Sequence, residues 1–188
     1  LGVDAEGHKH VLGLREGTTE NTTVVRALLA DLVDRGLSPD RPVLFAIDGA
    51  KALRKAITAV FGRPALVQRC QVHKTRNVLE HLPERMRPSV RKAMRQAYDT
   101  ADAVLAQRQL ERLANSLERA HPGAAASLRE GLEETLTLQR LGITGALYRT
   151  LRSTNPIENL NGLIGRFTRN IKRWRDGTMI VRWIAAGI

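Results

Sequence analysis

The chain has 188 residues and a formal net charge of +11, from 30 Lys and Arg against 19 Asp and Glu. This length suffices for one substantial domain or a core carrying an insertion, and a hydrophobic fraction of 43% excludes an intrinsically disordered chain. A single cysteine excludes an internal disulfide, and no apolar run is long enough to span a bilayer.

A charge balance this basic points to a polyanionic partner, nucleic acid first. No signal peptide is visible, so a cytoplasmic location is expected, nucleoid-associated when the chain is bound to DNA. The chain opens on "LGVDAEG" inside a strand-like run and stops at "IVRWIAAGI" with no polar tail. Both ends read as cuts, so a piece of a longer protein is expected.

In chain order, "LGV" and "HKHVLGL" flank the short turn "DAEG" and predict a hairpin. Asn21 or Thr22 caps a helix with apolar positions Val25, Leu28, Leu29, Leu32 and Val33, and Gly36 ends it. "PVLFAI" is a continuous apolar run of strand length, expected to be buried on both faces. "DGAKALRKAITAVFG" predicts a helix closing at Gly62, "ALVQR" another strand, and "VHKTRNVLEHL" a helix stopping near Pro83. The alternation predicts an α/β sheet with parallel members.

Strand signals then vanish. "SVRKAMRQAY", "DAVLAQRQLERLANSLERA" and "GAAASLREGLEETLTLQRL" have helical periodicity, with breaks at Pro88, Thr100 and near Pro122. The expected organisation is a core at 1–83, an all-helical insertion at 84–145 and closing core helices at 146–188. The last long helix starts at Pro156 and carries Ile157, Leu160, Ile164, Phe167, Ile171 and Trp174 as a core-facing stripe. Its other side carries Gly162, Gly165, Arg166, Arg169, Lys172 and Arg173. Such a face is either simply solvated or a nucleic-acid contact, in which the glycines let a backbone come close.

Two acids stand out. Asp48 ends "PVLFAI", and ligands of open α/β sheets bind at the carboxyl ends of strands. Asp is equally a favoured helix N-cap, and a helix follows. Glu158 has a similar second reading. With Asn155 as N-cap and Pro156 next, it falls at the capping-box position. Together, a strand-end Asp and an acid on a basic helix fit two-cation phosphodiester chemistry, in which hard ions take carboxylate oxygens. That scheme usually needs a third acid. Asp4 is one by type, but it occupies a hairpin turn, where Asp is common for turn reasons, and it is not assigned. "CQVH" would be half a zinc site, which His8 and His10 could complete in principle; a buried structural Cys70 is the better reading, with His73 at the start of the next helix.

"AIDGAKALRKAI", "QRCQVHKTRNVLEHLP" and "LRSTNPIENLNGLIGRFTRNIKRW" together resemble the Mutator-like bacterial insertion-sequence transposases, over essentially the whole chain and in the same order. The resemblance implies an RNase H-like α/β core, truncated at its N-terminus and interrupted by an all-α insertion. It implies DDE chemistry with Mg2+ or Mn2+. Asp48 matches the second acid of the triad, Glu158 the third, and Cys70 and His73 the C-x-x-H box, with Asn161 in the vicinity. The first aspartate would lie before Leu1. Tyr148 stands near the place where many relatives carry a Trp. The implied partners are DNA, at element ends and target, and further copies of the chain assembled on DNA, with no membrane. The implied function is strand cleavage and transfer at insertion-sequence ends. The rival is a non-catalytic DNA-binding remnant. Glu158 can serve both as a cap and as a ligand, one oxygen for each.

Overall fold

The computed structural model describes residues 1–4, 6–15, 21–62, 65–169, 171 and 177–186. The chain is mostly helical. It divides into two compact units, one of 1–43, 50–65 and 155–188, the other of 44–49 and 66–154.

In the first unit, β1 (Gly2–Val3) and β2 (Lys9–His10) pair antiparallel, Gly2 opposite His10 and Val3 opposite Lys9. Helix α1 (Thr22–Asp34) starts as the sequence predicts. The Asn21 side chain accepts a hydrogen bond from the Val24 amide, satisfying one of the helix's unpaired N–H groups. Gly36 follows with φ +107. Helix α1 packs on α2 (Lys51–Phe61), which buries Ala56, Ile57 and Phe61 and ends at Gly62. The unit also contains α9 (Asn155–Thr168) and α10 (Gly177–Ala186), which pack on each other.

The second unit holds most of β3 (Val43–Ile47) and β4 (Ala65–Arg69), which form a pair. The Cys70 amide donates to the Ile47 carbonyl at 2.7 Å. Both strands therefore finish at the same edge, as a strand–helix–strand crossover requires. Among the described residues the hairpin and this pair share no ladder, so the strands form two two-stranded sheets. The expectation of burial on both faces of β3 is not met: Ile47 is buried but Ala46 is exposed.

The edge of β4 is closed by the short helical turns Glu133–Leu136 and Thr137–Arg140 instead of another strand. The Thr137 hydroxyl donates to the Val67 carbonyl at 2.6 Å. Gln68, fully buried, donates to the Thr135 carbonyl at 2.8 Å and accepts from the Leu138 amide at 3.0 Å. These bonds satisfy backbone groups that burial would otherwise leave unpaired.

After α3 (Gln71–Glu80) the described chain contains no strand, and within 84–145, where strand signals vanish from the sequence, its elements are helical. Helices α4 (Arg87–Tyr98), α5 (Ala103–Glu118) and α6 (Pro122–Arg129) pack with α3 around a core that includes Val78, Met94, Leu110, Leu128 and Leu136. Asp102 caps α5, accepting from the Val104 and Leu105 amides. Pro88 and Pro122 both sit in the first turn of a helix, where their missing N–H costs nothing. Pro88 thus marks a helix start, at the break that the sequence places there.

The third predicted insertion helix is interrupted. Helix α6 stops at Arg129, Gly131 takes φ +61, and a 3-10 turn over Glu133–Leu136 leads into α7 (Thr137–Arg140). A short helix, α8 (Gly145–Leu151), completes the unit. No helix of the described residues is long and apolar enough to cross a membrane.

The stripe on the closing helix differs from expectation. In α9 no residue is fully buried, and Ile157 and Phe167 are exposed. Leu160, Ile164 and Ile171 are half-buried, and Trp174 lies outside the described residues. Helical spacing identifies an apolar face but not what covers it.

Candidate active site

Asp48 lies immediately after β3 and is half-buried. It is not the N-cap of the next helix. Ala50 holds that position, without a side-chain cap bond, and α2 begins at Lys51. The turn between them is made by Gly49, at φ +106.

That turn rests against Arg69, the last residue of β4. The guanidinium is buried, with 7% of the residue exposed. Its Nη2 donates to the Gly49 carbonyl at 3.5 Å, and its Nη1 donates to the Glu130 carbonyl at 3.1 Å. It also pairs with the Glu130 carboxylate at 2.7 Å. Lys74, on α3 and equally buried, pairs with the same carboxylate at 3.1 Å and donates to the carbonyls of Ser127 and Glu130. Two buried cations therefore share one carboxylate and a set of carbonyls at the end of α6. The hydrogen bond from Arg69, more than any other influence, holds the Glu130 carboxyl below the ordinary glutamate range. Burial pushes the Lys74 ammonium down from its usual value.

Cys70 follows Arg69 and caps α3. Its Sγ accepts from the His73 backbone amide at 3.4 Å, satisfying one of the helix's unpaired N–H groups. The same sulfur accepts from the Thr154 amide at 3.4 Å. The Thr154 hydroxyl lies 3.1 Å from His73 Nδ1, and that nitrogen is 3.3 Å from Cys70 Sγ. The Gln71 amide donates to the Arg152 carbonyl at 2.9 Å. The "CQVH" and "RST" stretches, more than 80 positions apart, are thus locked together at the end of β4. Among the described residues, Cys70 and His73 belong to no group of three ligand-type side chains. The buried-thiol reading of Cys70 holds: the residue is 1% exposed.

Helix α9 begins at the residue after Thr154. Asn155 is itself helical, so Glu158 is the fourth residue of the helix, in its first turn and exposed. Asn161, Arg166 and Arg169 are exposed on α9 and just beyond its end, and open space surrounds the Cα of Gly162 and of Gly165. Lys172 and Arg173 lie outside the described residues.

Asp4 is engaged locally. It accepts from the His8 amide at 2.7 Å and contacts His10 Nε2 at 2.8 Å, and His10 chiefly holds its carboxyl below the usual range. Asp4, Glu6 and His8 offer ligand atoms within 4.8 Å of one another. Tyr148 presents its hydroxyl inward, donating to the Tyr98 carbonyl at 2.6 Å and lying 3.2 Å from the side-chain amides of Gln71 and Gln139. In this unit it works as a latch between α8 and the helical core.

A sequence model of the transposases of the Mutator family matches residues 1–187. This chain belongs to the Mutator transposase family. It is 34% identical over 160 residues to the transposase for insertion sequence element IS6120 of Mycolicibacterium smegmatis, covering 85% of this chain and 48% of that protein. It is 31% identical over 188 residues to the transposase for IS1081 of Mycobacterium tuberculosis, covering 98% and 43%. To the transposase for IS256 in transposon Tn4001 of Staphylococcus aureus it is 28% identical over 188 residues, covering 99% and 47%. The chain spans about half the length of these curated relatives.

Within this Mutator-family chain, the residues that sequence reasoning missed are Arg69, Lys74 and Glu130. The available signal was the polar pair Gln68–Arg69 closing an apolar strand. Their linkage makes a prediction. The folded pKa of Glu130 is depressed, so its contribution to stability is present above the ordinary glutamate value of about 4.3 and is lost as pH falls through the lower folded value. Glu130→Gln leaves two buried cations without their counter-charge. Breaking a fully buried pair costs about 3–5 kcal/mol, but half of this carboxylate faces water, so about 1–2 kcal/mol is expected at pH 7. Urea unfolding should show the gap between wild type and variant closing as pH drops from 7 to 3. A gap independent of pH would mean that the carboxylate charge plays no part.

Proposed function

We propose that this chain is part of the catalytic domain of a DDE-type DNA transposase with an RNase H-like core. Its reaction is metal-dependent cleavage at insertion-sequence ends, followed by transfer of the freed 3′-hydroxyl end to target DNA. The family match over residues 1–187 carries this reading. The position of Asp48 supports it: a half-buried carboxylate at the carboxyl end of β3, two residues before the N-cap of α2.

The donor chemistry fits the cation. Asp48 and Glu158 offer oxygen ligands, the type that magnesium and manganese take, and the two residues would hold the metal jointly with a first aspartate expected upstream. When bound, the metal supplies Lewis-acid activation of the attacking oxygen and charge neutralisation at the leaving one. Arg69 buttresses the Gly49 turn beside Asp48, and the contacts of Thr154 with Cys70 and His73 hold the end of the "RST" stretch at the start of α3. Arg166 on α9 and Arg169 just beyond it, with Lys172 and Arg173 further along the chain, would hold phosphate. We propose assembly as a homo-oligomer on DNA, in the cytoplasm and at the nucleoid.

With two of the three acids, the 188-residue polypeptide by itself should bind duplex DNA and leave it uncut. Binding should weaken steeply with salt and discriminate little between sequences. Electrophoretic mobility shifts across salt, with a plasmid-nicking assay in magnesium, test both halves. Failure to bind DNA would remove the reading. A magnesium-dependent nick lost in Asp48→Ala would show that the first acid lies within the chain, and Asp4 would be next to test.

A further inference from the structure

We infer that the helical unit carries its own DNA-backbone track, a groove between α3 and α4 walled by five arginines. This rests on the proposed reading that DNA is the partner, and it assigns a second, independent surface for it. The groove has a volume of about 540 Å3. Its walls carry Arg76, Arg87, Arg91, Arg95 and Arg152 against one carboxylate, Glu80, over a floor that includes Val72, Leu79 and Tyr98.

Sequence spacing explains the arrangement. On α3, Val72, Arg76 and Glu80 recur every fourth residue, with Thr75 and Leu79 between them on the same face. On α4, Arg87, Arg91 and Arg95 do the same. Four residues rise about 6 Å, so the α4 row is about 12 Å long. Successive phosphates of one B-DNA strand are about 3.4 Å apart along the axis and, because the strand also winds, about 6.5 Å apart in space, so two to three phosphates pass along such a row.

Most of this charge is uncommitted. Among the described residues Arg76 and Arg91 are exposed and form no ion pair. Arg87 uses only its Nε, donating to the Leu82 carbonyl at 3.0 Å. Arg95 and Arg152 share Asp99, at 3.6 and 3.1 Å, in exposed pairs of the kind that contribute little and exchange readily. Arg152 also lies 5.8 Å from the Tyr148 ring centroid, which orients it. A run of like charges on facing helices repels itself in the free protein, and a phosphate backbone relieves that repulsion. Guanidinium forks match phosphate oxygens two at a time, which favours phosphate over scattered carboxylates. The groove lies wholly in residues 71–98 and 152, apart in the chain from Arg166 and Arg169.

The test is anisotropy of a fluorescein-labelled 20-base-pair duplex of unrelated sequence, titrated with the purified protein at several NaCl concentrations. The variant is Arg76→Gln/Arg91→Gln/Arg95→Gln. The control removes three exposed charges from elsewhere in the same unit, Arg108→Gln/Arg112→Gln/Arg119→Gln. The slope of log K against log salt should fall by about 2–3 in the groove variant, at about 0.9 per phosphate contact, and by less than about 1 in the control. Affinity of the groove variant at 100 mM salt should fall at least tenfold. Equal slopes in groove and control variants overturn the track while leaving DNA as the partner. A wild type that does not bind the duplex overturns both. A readout independent of variant folding is phenylglyoxal modification of the wild type: DNA should protect Arg76 and Arg91. No protection, or equal protection by inorganic phosphate at matched phosphate concentration, overturns it.

Discussion

In a transposase that carries the first aspartate together with these 188 residues, Asp48→Ala and Glu158→Ala should each abolish magnesium-dependent cleavage of element ends. The DNA affinity of each variant should stay within about threefold of wild type. A metal held by carboxylates stabilises the charge developing on phosphodiester oxygens by several kcal/mol, and each 1.36 kcal/mol is tenfold in rate, so a loss of at least about a thousandfold is expected. Magnitude separates this role from the cap role. A carboxylate in the first turn of an exposed helix contributes about 0.3–1 kcal/mol to stability, so replacing Glu158 on α9 cannot unfold the protein. Asp48→Asn sharpens the test, since it keeps the side-chain shape and removes the charge. Cleavage retained in Asp48→Asn or Glu158→Gln would eliminate these residues as ligands. Loss of binding in parallel with cleavage would assign them to the DNA interface.

Local chemistry made much of the fold legible. The Asn21 cap and Gly36 fixed α1, and the apolar runs "VLFAI" and "ALVQR" marked β3 and β4 within a residue. Caps and apolar runs act over a few positions, so a single sequence displays them. Longer-range contacts were invisible. Helical periodicity runs straight through Gly131, but the backbone turns there because Arg69, 61 positions before Glu130, occupies the space beside it. The inward hydroxyl of Tyr148 depends on a carbonyl 50 positions away. For the site, the strand-end position of Asp48 followed from the apolar run before it. The meeting of Cys70 and His73 with Thr154 followed from no spacing rule. Arg69 read as one more basic residue in a +11 chain, and only burial distinguishes it from the others.

Because Arg69 fills the space beside Gly49, Gly49→Ala should be more damaging than its size suggests. Two effects add. The backbone at φ +106 is strained for any residue with a Cβ, costing about 1–2 kcal/mol. The new methyl would also stand 2.9 Å from the guanidinium carbon of Arg69. That guanidinium is buried and tied to Glu130, so it has no open side to move into without loosening the ion pair. A total of about 2–4 kcal/mol is expected. Gly36→Ala is the internal control: its φ is +107, and nothing lies within 4 Å of the added carbon, so it should show the strain alone. Urea midpoints of the two variants isolate the contact with Arg69 as their difference. Shortening the obstacle should help, so Gly49→Ala/Arg69→Lys should be less unstable than the sum of the single changes, a coupling of the sign expected for touching side chains. In a cleaving transposase, Gly49→Ala should also lower the rate about a hundredfold, because a shift of about 1 Å in Asp48 misaligns the reacting oxygens. If Gly49→Ala costs no more than Gly36→Ala, Arg69 does not brace the turn, and its burial serves only the ion pair with Glu130.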